Sequence, residues 1–222
     1  MQLSVKTIDV LKNFSAINQS LIFPQGSTIK TLSPKRNILA IANIEEKIPE
    51  RFAIYELNQF LGVLSLFSEP DIDIKQHHVQ ISNGSGHVSN YFFAEESMIE
   101  APPDKNLEID EPAVSFELKD SQLKQVMQAA RVMQLTTVVV ESDGTDVLLK
   151  AVNTENAASN TYHVKVAKAS DKFRFIFSVD NLRLLPLTYS VTIAKTGISN
   201  FKSADGMVEY WIATEHESKY DG

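Results

Sequence analysis

Between residues 95 and 111 the chain reads EESMIEAPPDKNLEIDE, with seven acidic side chains and one lysine. A segment this charged, with two adjacent prolines, favours an extended and solvated course over burial. Whatever this chain folds into must therefore be built on either side of it. The flanks are nearly neutral: residues 1–94 hold eight acids and eight bases, residues 112–222 thirteen acids and twelve bases. The formal net charge of −7 thus belongs almost wholly to the segment, and basic faces can exist elsewhere despite the acidic total. A chain of 222 residues has the length for two units of about 100 each. The expected division is a first domain at 1–100, a connector at 101–112 and a second domain at 113–222.

Composition removes several function classes. There is no cysteine, which excludes disulfides, thiol nucleophiles and thiolate metal sites. No apolar run approaches the roughly 20 residues of a membrane span. The opening MQLSVKTIDVLKNF alternates polar and apolar residues and lacks a signal-peptide core. The expectation is a soluble intracellular protein with no membrane partner.

The two flanks share one grammar. In the first, Ser4 is a candidate N-cap for a helix reaching about Ile17, with Ile8, Val10, Leu11, Phe14 and Ile17 on one broad face. Strand-like runs follow at Ser20–Phe23, Ser27–Thr31 and Ile38–Asn43. A second helix spans about Tyr55–Leu66, and short strands at Ile72–Lys75, Val79–Ser82 and Val88–Ala94 complete the half. The second flank opens with a strand at Val114–Leu118 and a helix at about Asp120–Met133. Strands at Thr136–Glu141, Asp146–Asn153, Thr161–Ala167 and Phe173–Phe177 come next, then a short helical turn at Asp180–Leu185 stopped by Pro186. Strands at Ser190–Ala194 and Val208–Thr214 close it. The pattern predicts an internal duplication in the α+β class: two similar domains, each with two helices packed on antiparallel sheets.

Catalytic chemistry finds no foothold. His77, His78, His87, His163 and His216 lack a converging ligand at a metal-binding spacing, and Gly84-Ser85-Gly86 reads as a hairpin loop with no lysine after it. The acids crowd into the connector and the tail, where no catalytic pair can be picked out. No catalytic residue, metal or cofactor is expected. The third helix says more. From Ser121 to Val140 its only charges are Lys124 and Arg131, and Lys124, Gln128 and Arg131 recur at helical spacing with Gln125 beside them. Such a face suits the backbone of a polyanion without base readout, although a plain solvated face has the same pattern. Lys6 and Lys12 on the first helix and Arg183 on the short fourth helix add cations. Asp9 and Asp180 oppose them, and the second helix offers only Asn58 and Gln59. In the connector, Leu107 and Ile109 alternate with acids and could line a partner groove together with Trp211 and Tyr220; a core place for Trp211 is equally compatible.

LSVKTIDVLKNFSAIN (3–18) and AIYELNQFLGVLSL (53–66), with the layout around Ser115–Gln134 and Phe175–Pro186, resemble the T-even-type bacteriophage sliding clamps, the processivity factors of a replicative DNA polymerase. The resemblance implies a DNA clamp fold similar to proliferating cell nuclear antigen, with three subunits closed head-to-tail into a non-enzymatic ring. Helices would line a hole threaded by duplex DNA, and an ATP-driven clamp loader would open the ring. The polymerase and late transcription factors would dock short tails near the connector, in the cytoplasm of an infected bacterial host. Carried onto this chain, Lys6, Lys12, Lys124, Gln128, Arg131 and Arg183 would face DNA, with Asn58 and Gln59 a departure from a basic lining. Leu107, Ile109 and Trp211 would serve partners. Val88, Tyr91, Phe92 and Phe93 of one subunit would meet Tyr162 and Val164 of the next, strand edge to strand edge. Two alternatives remain at this stage: a clamp-like scaffold that binds proteins without encircling DNA, and a small hydrolase, for which no His/carboxylate constellation is visible.

Overall fold

A computed structural model describes residues 1–103, 107–156 and 158–222. The chain forms two compact units, Met1–Asp104 and Lys105–Gly222.

The first unit opens with α1 (Val5–Ile17). Ser4 caps it as its position predicts, its Oγ accepting the Thr7 N–H. Val10, Leu11, Phe14 and Ile17 are buried on the core face, and so is Thr7. Ile8, expected in that stripe, is only partly covered. Thr7 replaces it because its hydroxyl has a partner, donating to one oxygen of Glu46 while the other takes the Ser4 N–H; a buried hydroxyl without a bond would cost stability. Burial pushes the Glu46 carboxyl up, but these bonds outweigh it and hold the group below the usual carboxylate range. Two antiparallel pairs follow, β1 (Leu21–Phe23) with a later strand, and β2 (Gly26–Leu32) with β3 (Ile38–Ile48). The partner of β1 is β4 (Phe52–Ile54), which lies just ahead of α2 (Leu57–Leu64). The unit ends in an antiparallel sheet of β5 (Asp71–Ile74), β6 (His78–Ser82) and β7 (Val88–Phe92), with β7 at an edge. After β7 the chain stays fastened: Ile99 packs on Ile22 and Ala53, Arg51 Nε donates to Glu96 at 2.8 Å, and Arg36 pairs with Glu100.

The second unit contains β8 (Pro112–Leu118), α3 (Asp120–Val132), β9 (Thr137–Asp143), β10 (Asp146–Val152), β11 (Tyr162–Lys168), β12 (Lys172–Ser178), β13 (Tyr189–Ala194), β14 (Ile198–Ser203), β15 (Val208–Ala213) and β16 (Lys219–Tyr220). One sheet runs β11-β10-β9-β12-β16, which leaves β11 at an edge. In the other, β8, β13, β14 and β15 pair in that order, all antiparallel. Leu123 and Val126 of α3 are buried with Val138, Val140, Phe177 and Phe201, and each such side chain contributes about 1.5–3 kcal/mol.

The duplication is visible in the pairing. Strand β1 meets β4 as β9 meets β12; β2 meets β3 as β10 meets β11; and β5-β6-β7 repeats β13-β14-β15. Even β8 has a one-residue counterpart, since Met1 exchanges both main-chain bonds with Ile72, at 2.6 and 2.7 Å. One expectation is corrected. Among its described residues the second unit has one α-helix, and the short helical turn expected at Asp180–Leu185 is a 3-10 turn at Val179–Asn181. Pro186 disfavours helical backbone at Leu185, and buried side chains replace the missing helical bonds. Tyr189 donates its hydroxyl to the Leu185 carbonyl at 2.7 Å, and the Leu185 N–H donates to the Tyr210 hydroxyl at 3.3 Å. Burial pushes both phenols far above their ordinary range, so both stay neutral, Tyr189 donating and Tyr210 accepting at this turn.

Candidate functional site

The outer face of α3 is positioned by its first turn. The Gln122 side chain accepts the Lys119 N–H at 3.0 Å and donates to the Lys165 carbonyl at 3.2 Å, fastening the helix start to β11. With Leu123, Val126 and Ala130 buried, Lys124, Gln125, Gln128 and Arg131 face solvent. Among the described residues neither Lys124 nor Arg131 enters an ion pair. The two cations lie about 10 Å apart along the helix axis, a spacing that can serve several phosphates of one strand. The first helix differs. Lys6 lies 3.1 Å from Glu45 and Lys12 3.8 Å from Asp9, so both lysines carry an acidic neighbour. The Asp9 contact was foreseeable at three residues' separation; Glu45 comes from β3 and was not. Arg183 is exposed and turns its Nε to the Asp180 carbonyl at 2.8 Å. Asn58 and Gln59 are exposed on α2.

The two edge strands divide the anticipated contact residues by strand alternation. On β7, Val88 is 56% exposed and Phe92 68%. Tyr91 faces the other way, its ring 5.3 Å edge-on to Phe60, and Phe93 just beyond the strand stacks on Phe52 at 5.2 Å. The Tyr91 hydroxyl donates to Gln59 Oε1 at 2.9 Å, with the Glu56 carbonyl also in reach at 3.1 Å. Burial pushes this phenol up, and the Glu56 charge adds to it. On β11, Tyr162 and Val164 are half-buried while His163, Lys165 and Lys168 are exposed. The Tyr162 hydroxyl reaches Gln125 Oε1 at 3.5 Å.

Leu107 and Ile109 are half-buried in a stretch without regular structure, and connector residues 104–106 lie outside the described residues. Trp211 corrects the docking expectation: it is 7% exposed on β15, opposite Asn200, and belongs to the core. A cavity of about 270 Å³ that no motif announced lies in the second unit, lined by Phe175, Lys195, Ile198, Ala213, Glu215 and His216. It is assembled from the β13–β14 turn and the segment after β15, the two ends of the β14–β15 hairpin, with Phe175 of β12 brought in from farther away in the sequence. Gly197 is required at that turn: its φ is +87°, and a Cβ there would sit 2.5 Å from Thr214 Oγ1. Lys195 Nζ stands 3.8 Å from Glu111 and 5.2 Å over the Tyr220 ring. Tyr220 in turn donates to Asp171 at 2.6 Å, and that bond, with one from Ser170, holds the Asp171 carboxyl low. Among the described residues no group of three or more His, Asp or Glu side chains could hold a metal ion, and no helix is long and apolar enough to cross a membrane.

Known proteins match nearly the whole chain. A family model described as DNA polymerase processivity factor matches residues 4–100, and one described as gp45 sliding clamp, C terminal, matches residues 115–216. The sliding clamp of Vibrio phage KVP40 is 32% identical, covering 97% of this chain and 99% of that protein. The sliding clamp of Escherichia phage RB69 is 29% identical and that of Enterobacteria phage T4 26%, each over the full length of both chains. Among solved structures, the PCNA of A. fulgidus bound to the C-terminal region of FEN-1 superposes with a TM-score of 0.70 at 17% identity, covering 96% of each chain. The PCNA2-PCNA3 complex from Sulfolobus tokodaii gives 0.70 at 13%, covering 98% of this chain and 100% of that one. At such identities the structural likeness speaks for the fold.

Proposed function

Because the chain belongs to the sliding-clamp family of DNA polymerase processivity factors, which are not enzymes, we propose that it acts as a ring of three copies around duplex DNA. Its two domains, 1–100 and 113–222 joined by the connector 101–112, would make a six-domain ring. In that ring β7 of each copy continues the β11 edge of the next, with Val88 and Phe92 turned outward and Tyr91, Phe93, Tyr162 and Val164 on the helix side. The ring tethers the replicative polymerase, is opened by a clamp loader and also receives late transcription factors. It works in the cytoplasm of an infected bacterial cell.

The observation that carries the DNA contact is the α3 face, where Lys124 and Arg131 stand without acidic partners beside Gln128. Lys6, Lys12 and Arg183 contribute less, each having a partner already. Mild contact suits a topologically linked ring, since tight binding would slow sliding. Partner tails fit the Lys195–His216 cavity, with Leu107 and Ile109 on the connector as further apolar contacts. Gly197→Ala, which crowds Thr214 at the cavity rim, should weaken capture of a polymerase tail peptide at least fivefold in fluorescence anisotropy.

Native mass spectrometry should give a species at three times 24.8 kDa. Charge reversal at Lys124 and Arg131 together should shorten synthesis on primed circular DNA while leaving that species in place. Unchanged processivity in the double variant would point to a scaffold that does not encircle DNA.

A further inference from the structure

The two free edges carry the same side-chain device. Tyr91 on β7 donates to Gln59 on α2, and Tyr162 on β11 donates to Gln125 on α3, at 2.9 and 3.5 Å. In both units a half-buried edge tyrosine meets an exposed helix glutamine. Each pair is half satisfied. The phenol oxygen can accept another bond, and each amide NH₂ has two donors with no partner among the described residues.

Backbone phase determines how the edges can meet. The Phe93 N–H bonds to the His77 carbonyl, so Tyr91 and Ser89 turn their main-chain groups toward β6 while Val88, Asn90 and Phe92 turn theirs outward. On β11 the Lys165 carbonyl accepts the Gln122 side chain through one lone pair, which marks Lys165 and His163 as outward and leaves the second lone pair for a ladder bond. Outward residues must oppose outward residues in an antiparallel ladder. The register pairing Asn90 with His163 and Val88 with Lys165 sets Tyr91 directly opposite Tyr162, on the helix side of both strands. Such a non-hydrogen-bonded pair brings Cα atoms to about 4.5 Å.

We propose that the Tyr91–Gln59 pair of one copy and the Tyr162–Gln125 pair of the next close into a four-membered hydrogen-bond ring across the subunit joint. Each phenol donates to the glutamine of its own helix and accepts from the glutamine of the other copy. The inference rests on the β7–β11 joint described above and deepens it. Gln59 and Gln125 become joint residues, set apart from the DNA face on which their helices place them. A closed polar ring fixes register, because a slip of two residues would leave buried phenols and amides without partners.

A double-mutant cycle on subunit dissociation of the full-length protein tests this, since Tyr91 and Gln125 belong to different units of one chain. Tyr91→Phe and Gln125→Leu should each weaken association about fivefold per joint. The double variant should be little worse than either single change. Effects that multiply within twofold would overturn the latch. The joint is read separately through Phe92→Glu and Val164→Glu, which should raise the dissociation constant at least a hundredfold in mass photometry. A ring indifferent to both glutamates would remove the joint and the latch together. Unaltered circular dichroism and melting in Tyr91→Phe keep the reading independent of folding.

Discussion

The two units are built on one topology, yet they have specialised in opposite directions. The first keeps a full second helix, pairs the lysines of its leading helix with Glu45 and Asp9, and exposes Val88, Phe92, Met98 and Leu66. The second reduces that helix to a three-residue turn, leaves Lys124 and Arg131 unopposed, and among the described residues exposes one large apolar side chain, Val132. Duplication thus conserved the pairing of strands while letting surfaces diverge, because ladder register depends on inward residues and leaves outward ones free to change. One unit presents apolar contact area and the other unopposed positive charge.

The contrast can be broken first at its tyrosines. Tyr189→Ala removes a fully buried ring together with the bond to Leu185, which has no counterpart among the described residues of the first unit. We expect a loss of about 3–5 kcal/mol in urea denaturation, against about 1 kcal/mol for Tyr189→Phe. Equal losses would mean that the hydroxyl alone holds the turn. Next in size is charge reversal. Lys124→Glu with Arg131→Glu should cut processive length at least tenfold, whereas Lys6→Glu with Lys12→Glu should cost threefold or less. Parity between the two helices in a primer-extension assay would erase the electrostatic half of the comparison.

A smaller effect comes from Glu46→Gln, which should lower stability by about 1 kcal/mol at neutral pH. The Glu46 carboxyl is held low in the folded protein, so its contribution is complete above the ordinary glutamate value of about 4.3. It is lost as pH falls through the depressed folded value. The gap between wild type and variant, followed by denaturation at several pH values, should be flat above about pH 5 and close in stronger acid. Smallest is Gly62→Ala. Its Cβ would meet nothing within 4 Å on α2, so the change should stabilise the first unit by roughly 0.5–1 kcal/mol. A gain in melting temperature with a loss of self-association would place another molecule against that helix.

Much of this architecture was legible in the sequence where periodicity is strong. Ser4, four of the five residues expected in the α1 stripe, the stripe of α3 and most strands follow from spacing alone, while Thr7 in place of Ile8 does not. What escaped has physical causes. Strand β14 was missed because Ser199 and Ser203 hold its inward positions, and a buried serine looks like a loop residue until its partner is known; here the partners are the Ile212 carbonyl and Asp205. Strand β4 is three residues abutting a helix, too short for a period to show. At the site, exposure of the α3 cations was readable from helical phase. The Glu45 neighbour of Lys6, the burial of Trp211 and the Lys195 cavity depend on chain segments brought together only by folding.

Glu46 has one more consequence, for how the chain avoids folding wrongly. It holds the first turn of α1 from a strand position, at the end of a helix that carries partial positive charge. Were β3 to pair one residue out of step, Lys47 could arrive where Glu46 belongs and set a cation against that end. Such a slip would also turn the inward apolar residues of β3, Ala42 and Ile44 among them, to the other face. The carboxylate thereby adds an electrostatic penalty to the apolar one, so helix and hairpin reject the same misalignment for two different reasons.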